Sequence, residues 1–408
     1  MLVRALALLA LALLTSPAGA LNRTRPAFPG ATGEGAYALE GWPTAPTVGR
    51  VSSDANSGAG TLRDCIDADN RICVCALTGD GTIELTDTLQ LNNSHVLVDM
   101  RGCNGDGIQL VRHSTFPKTS RTTVEISGSH IVLRGVRVRD AIRHEHDGSA
   151  YEGDSIQVTD AAADVNVANN SAAWGTDEAC SIGNTTAANG PHRVTFQENF
   201  CGEALASANG TPSATPGYSF LDNGTDTTLY RNVMIGAQRF PYFAGGGLAE
   251  ARENVSYQGS GGSPPLQLYD CDGSENNPLV ALLKNNIFLH ELSLTGLNSG
   301  TSIVAFRQTG CAGEGCDRIT AYADGNSSEW EFPDDDAQQA RMMFCRDQAL
   351  GCSGGGGGSV TACAGGNTAY RIADEPASIR LRPELDIDEG LLGVVLAGAG
   401  HPVEDSVD

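Results

Sequence analysis

The chain has 408 residues, of which 18% are charged and 50 are glycine, and a formal net charge of -23. Such an acidic balance argues against nucleic acid and anionic membrane surfaces as partners, because both demand a positive face. Low charge with abundant glycine suits strands and turns rather than helices.

Residues 1–20 read as a secretory signal peptide: Arg4, an apolar run over 5–14, then Ala18-Gly19-Ala20 as a small-residue cleavage site. No later segment approaches the ~20 apolar residues that a spanning helix needs, so a soluble, secreted product is expected. The remaining 21–408 are more than one compact core supports, since such cores stop growing near ~250–300 residues. With no central linker and with recurring local patterns, the expectation is a single elongated domain.

Short β-rich runs then follow one another at 130–136, 165–170, 194–200, 228–233, 251–255 and 282–288, each ending on Asn or Gly before another apolar pair. The landmarks are Gly135, Asn170, Asn199, Asn232, Asn254 and Asn286. Asn and Gly tolerate left-handed backbone angles and turn a strand sharply into the next face of a coil. Each coil hides its inward residues only when stacked on its neighbours. The predicted fold is therefore all-β, a single-stranded solenoid. A β-sandwich is the alternative, and the scarcity of Asn-Gly and Asp-Gly hairpin signals speaks against it.

Twelve cysteines behind a secretory leader imply disulfides. Cys73 and Cys75 lie two apart on a predicted strand and face the same way, so each is expected to pair with a neighbouring coil and not with the other. Cys311, Cys316, Cys345, Cys352 and Cys363 fall in a Cys-rich, Gly-rich loop region over about 305–365, where staples are favoured over a zinc site. Residues 354–358 are a five-glycine loop, 334–336 an acidic turn, and 390–400 a short cap on the solenoid before the C-terminal tail. Eight Asn-x-Ser/Thr sites occur, at Asn22, Asn92, Asn169, Asn184, Asn209, Asn223, Asn254 and Asn326. An internal asparagine stack would hide those on turns.

Several fragments line up in one order: Pro26 to Ala36, Ser57-Gly58-Ala59-Gly60-Thr61-Leu62-Arg63, Arg71-Ile72-Cys73-Val74 and Gly81-Thr82-Ile83. Gly153-Asp154-Ser155-Ile156, Trp174-Gly175-Thr176-Asp177-Glu178, Glu203-Ala204-Leu205, Arg231-Asn232-Val233 and Arg239-Phe240-Pro241 follow, and the tail closes on Glu404-Asp405-Ser406-Val407-Asp408. This order resembles the secreted pectate lyases of polysaccharide lyase family 1, in the branch that carries "WGTDE". The resemblance implies a right-handed parallel β-helix of the pectin-lyase-like kind. It also implies calcium-dependent β-elimination on pectate outside the cell, and an acidic polysaccharide as partner of a monomer.

The reaction removes a proton beside a carboxylate, so a hard cation on that carboxylate helps, and Ca2+ takes ~6–8 oxygen ligands. The resemblance assigns Asp154 and Asp177 as metal ligands; Glu178 joins them on proximity. In a strand Asp177 and Glu178 would point apart, so both can ligate only from a turn. Arg239 stands at the family's Arg-x-Pro position for proton abstraction. Arg231 is expected to bind a substrate carboxylate through its planar fork, and Tyr242 to stack on a sugar ring. His144 and His146 lie in a polar loop, and Trp174 is expected in the core.

The chain also departs from the family. Ala168 and Asn169 replace Asp-His, Ala244 replaces a second basic residue, and no histidine or lysine follows Glu203-Ala204-Leu205. These departures open two alternatives: a lyase for another uronate polymer, and a catalytically degenerate polysaccharide-binding β-helix. A β-helical glycoside hydrolase is a poorer reading, because its chemistry needs paired carboxylates at a defined separation and the central coils show no clear Asp-Asp pair or Gly-His-Gly motif.

Overall fold

The computed structural model describes residues 26–42, 45–79, 81–103, 107–117, 122–140, 153–183, 190–204, 217–236, 239–258, 266–269, 279–290, 304–307, 319–324, 326–328 and 371–372. The leader, His144, His146, most of the Cys-rich region and the C-terminal tail lie outside them.

Among the described residues, every pairing between strands is parallel, and the strands form an 11-stranded, a 9-stranded and an 8-stranded sheet. One coil contributes one strand to each. Ala163–Ala168 lies in the 11-stranded sheet, Ser171–Ala173 in the 9-stranded sheet and Glu178–Ile182 in the 8-stranded sheet, and the next coil repeats the order with His192–Gln197, Phe200–Gly202 and Tyr218–Asp222. This is the right-handed parallel β-helix expected from the sequence. Among the described residues there are no antiparallel hairpins to make a sandwich.

Apolar side chains stack in register inside the tube. Leu133, Val167, Phe196, Leu229, Ala251 and Leu283 succeed one another along the 11-stranded sheet and are all essentially inaccessible. Burying each large aliphatic or aromatic side chain is worth about 1.5–3 kcal/mol, but only once the neighbouring coil is in place.

From Asn169 onward the corner from the 11-stranded to the 9-stranded sheet takes two residues. The first adopts a left-handed conformation: Asn169, Glu198, Arg231, Glu253 and Asn285 all have φ between 53 and 55°. The second is Asn170, Asn199, Asn232, Asn254 or Asn286, each at most 2% exposed. The Asn232 Oδ1 accepts from the Asn199 backbone N–H at 3.0 Å, while its Nδ2 donates to the Phe196 carbonyl at 2.9 Å and to the Asn254 Oδ1 at 3.0 Å. The pattern repeats up to Asn326. A buried amide so placed satisfies backbone groups that no strand ladder reaches. The sequon asparagines Asn254 and Asn326 belong to this stack and are buried.

The tube is closed below by the short helix Leu62–Ile66, capped by the Thr61 side chain, and a Cys65–Cys73 disulfide ties it to the first coils. Cys75 pairs with Cys103, and Cys180 with Cys201, so Cys73 and Cys75 do bond to separate partners. Residues 26–42 cross the outer face of the 11-stranded sheet. Thr32 N–H donates to the Gln197 Oε1 (2.9 Å) and Gly35 N–H to the Thr195 Oγ1 (2.8 Å). A Cβ on Gly35 would collide with the Val165 carbonyl oxygen.

Candidate functional site

The corner from the 9-stranded into the 8-stranded sheet is built differently. Its connections vary greatly in length, from three residues at 86–88 to sixteen at 140–155. Where they enter the 8-stranded sheet the register is nevertheless strict. Ile156 pairs with Cys180, Glu178 with Tyr218 and Leu221 with Tyr242. Carried back to the strand starts, these pairings set Asp154, Glu178, Tyr218 and Arg239 in one column over four successive coils. The Ser155 N–H bonded to the Glu178 carbonyl (3.2 Å) and the Phe220 N–H bonded to the Arg239 carbonyl (2.8 Å) hold that column.

Asp154, Asp177 and Glu178 come together: one carboxylate oxygen of each lies within 4.8 Å of those of the other two. Asp177 sits in the turn before the strand, with its backbone N–H bonded to the Gly153 carbonyl at 3.1 Å. That turn lets two consecutive acids converge where a strand would send them apart. The Asp154 carboxylate is buried and held on several sides, by the Glu178 backbone N–H (3.2 Å), the Gln157 amide (2.9 Å) and the Ser181 hydroxyl.

Burial, with the Asp177 charge added, pushes Asp154 up to about 6 against the pull of the Ser181 hydroxyl and the Glu178 N–H. Burial likewise raises Glu178 well above the carboxylate range, with Asp154 adding to the rise and Arg239 opposing it. Three hard oxygen donors, two of them buried and unwilling to ionise together, are a donor set that a divalent oxygen-seeking cation suits. The residues therefore fit an ion such as Ca2+.

Arg239 reaches back across Tyr218 to form an ion pair with Glu178. Its guanidinium lies 3.8 Å from the centre of the Tyr218 ring and 5.3 Å from that of Tyr242. The residue is held in a left-handed conformation, φ 61°, which is uncommon for a long side chain. Burial alone would lower its pKa, but Glu178, Tyr218 and Asp177 outweigh burial and hold the guanidinium above its ordinary value. In this arrangement Arg239 is a cation and not a base.

Arg231 is elsewhere. It occupies the asparagine corner, with its Nε 2.7 Å from Glu253 and its guanidinium 5.0 Å from the Tyr230 ring. Trp174 is half-buried against Ala173 and Phe200 and donates its Nε1–H to Glu203 at 3.1 Å. Ala168 is fully buried beneath residues 26–42, beside Phe28 and Val132, while Asn169 bonds to Arg134 and Glu198. Those two departures thus fall on the 11-stranded sheet, away from the acidic column. Ala244 follows Tyr242 and Phe243 directly, and its N–H bonds to the Asp222 carbonyl.

Tyr218, Ser181 and Gln157 were missed by sequence reasoning. So was the buried pair Arg112–Asp140, whose guanidinium also bonds to Thr123 (2.7 Å), the residue whose N–H holds the Asp154 carbonyl.

No protein-family description matches the sequence. The chain is 27% identical over 302 residues to the probable pectate lyase C of Aspergillus oryzae, covering 74% of this chain and 60% of that one. It is 28% identical over 238 residues to the probable pectate lyase C of Aspergillus terreus, covering 58% of this chain and 49% of that one. The matches thus span 60% and 49% of the length of these relatives. Among solved structures it is similar to the cedar-pollen allergen Jun a 1, at 16% identity and a TM-score of 0.48 over 73% of this chain and 81% of that one. Another is a pectate lyase of Bacillus sp. N165 solved with trigalacturonate, at 13% identity and a TM-score of 0.44 over 91% of this chain and 99% of that one.

Proposed function

We propose that this β-helix is a secreted, calcium-dependent lyase that cleaves pectate by β-elimination. The observation that carries the reading is the column in which Asp154, Asp177 and Glu178 converge with the Arg239 guanidinium seated on them. The similarity to proteins named pectate lyase C supports the substrate class. An acidic polymer meets a chain of net charge -23, so its approach relies on a local positive centre, which Arg239 and a cation supply.

Asp154, Asp177 and Glu178 would hold Ca2+ between them. Held there, the ion would supply a positive charge that neutralises the uronate carboxylate and so makes the adjacent C5–H more acidic. Arg239 is assigned to take that C5 proton. The electron pair left behind forms the C4–C5 double bond, the C4–O bond breaks, and the departing sugar oxygen takes up a proton from water. A guanidinium is protonated at any ordinary pH, and on Glu178 it is held more firmly so; its role as base requires it to leave that carboxylate and give its own proton to solvent before it takes the one from C5. Tyr242, half-exposed beside Arg239, is placed to stack on a sugar ring. Arg231, tied to Glu253, has no part in this scheme.

The same ion pair favours a second reading, a β-helix that binds polysaccharide without turning it over, because a sequestered arginine does no chemistry. Incubation of the purified protein with pectate, alginate or ulvan and calcium distinguishes the two. The lyase releases unsaturated, ultraviolet-absorbing ends and stops on chelation; absence of such product from all three polymers, with retention on immobilised pectate, establishes the binding protein instead.

A further inference from the structure

Glu178 is claimed twice. Its carboxylate belongs to the three-acid cluster, and it is also the partner of Arg239. A guanidinium engaging that carboxylate and a metal ion ligated by it compete for the same lone pairs. We propose that Arg239 and a divalent cation exchange at Glu178, with the Tyr218 ring positioning the guanidinium for the exchange; the inference rests on the calcium-dependent reading above and says how that site is regulated.

Charge points the same way. Three carboxylates and one guanidinium leave the cluster net negative when all are ionised. Arg239 therefore acts as the resident cation. A divalent ion supplies more positive charge at closer range, and once it is in place the attraction holding Arg239 is largely cancelled.

Geometry gives the displaced arginine somewhere to go. The Glu178 side chain is 2% exposed and cannot follow, whereas that of Arg239 is 27% exposed and lies on the solvent side of the pair. The guanidinium reaches Glu178 by crossing the Tyr218 ring, one coil below its own. Releasing Glu178 lets it withdraw along that ring towards Tyr242, retaining a cation–π contact at each stage. The arginine is then delivered to the mouth of the site only when the cation is present. In this scheme Tyr218 is a positioning residue, acting through Arg239.

The test is a calorimetric titration of Ca2+ into the purified full chain without substrate. Exchange predicts that Arg239→Gln binds Ca2+ about 10-fold more tightly than the parent, the scale of a moderate coupling between two sites. On a Glu178→Gln background the same substitution should tighten binding no further, because the shared carboxylate is gone. Tyr218→Leu is expected to tighten binding by roughly 3-fold, as a guanidinium without its platform competes less well, and Tyr218→Phe to restore the parental affinity. Where Arg239→Gln does not fold, Arg239→Lys, which loses the planar fork, takes its place, with tightening of about 3-fold expected. Ca2+ binding in the parent with equal or weaker binding in the Arg239 variant overturns the exchange and leaves the lyase reading standing. Heat of binding from none of the variants overturns the exchange and the calcium dependence together, and the release of unsaturated product then reports separately on the lyase.

Discussion

At the corner between the 11-stranded and 9-stranded sheets, each coil makes its turn with two residues and buries one amide, in the same way from Asn170 to Asn326. At the corner between the 9-stranded and 8-stranded sheets, connections of unequal length gather carboxylates, a guanidinium and tyrosines that repeat nothing. One corner buries a neutral, satisfied amide in each coil, and Arg231 there is paired with Glu253. The other carries like charges close together, with Asp154 and Glu178 both pushed upward by burial. Repetition is what stacking needs, and chemistry needs unlike groups on a stack that is already fixed. The first corner should therefore control stability and the second activity.

Four measurements can break or sharpen that division. The largest effect is expected for Arg239→Ala in the lyase assay, with kcat falling by ~10²–10⁴-fold, the usual reach of a general base, and the thermal midpoint holding or rising. Activity within a few-fold of the parent would move proton transfer to another group. Next comes Asn232→Ala, which strips partners from the Asn199 amide groups and the Phe196 carbonyl. Several buried polar groups left unpaired should cost roughly 3–6 kcal/mol in denaturant unfolding, while the kcat of the folded fraction stays the same.

Asp222 separates burial from clustering. It is buried away from the three acids, bonded to Thr227 and the Gly224 N–H, and burial raises it to about 7. In the unfolded chain it titrates near ~4, so between these values the folded state keeps a proton that the unfolded state has released. Stability should therefore fall as pH rises from about 4 to 7, by on the order of 2–4 kcal/mol, and level off above. Asp222→Asn should flatten this part of the profile with or without Ca2+. The corresponding fall from Asp154 ends near its value of about 6 and should shrink when Ca2+ is added. A profile unmoved by Asp222→Asn would show that its carboxyl is ionised in the fold.

The smallest effect is expected for Arg231→Ala. Its pair with Glu253 lies on the asparagine corner, away from the acidic column, so activity should stay within about 2-fold. A loss of substrate binding would return Arg231 to the groove and dissolve the division between the corners.

The regular corner was the legible one. Asn199, Asn232, Asn254 and Asn286 recur after apolar runs, and each is the buried amide of its coil. Asp154, Asp177 and Arg239 could be proposed from their motifs, and the fold brings them together. What stayed hidden is what the unequal connections decide. Tyr218 has no motif, and only the register that sets it beside Glu178 shows its ring under the Arg239 guanidinium. Ser181 and Gln157 reach Asp154 from strands whose alignment is equally invisible. Ala168, named as a departure from the family, was misleading for the opposite reason. Its motif suggested chemistry, but the coil places it under the N-terminal segment, where a small apolar side chain packs against Phe28.

That N-terminal segment has a consequence for how the chain is assembled. Stacked coils interact only with their neighbours and tend to fray or form independently. Glu34 and Gly35, however, bond to Thr228 and Thr195, which follow them by 194 and 160 residues. The stretch that leaves the ribosome early must wait for coils made much later before it can dock. When it does, it spans several of them at once, so unzipping any one means lifting the strap from all. A structure that is modular in design is in this way made to open and close as a larger unit.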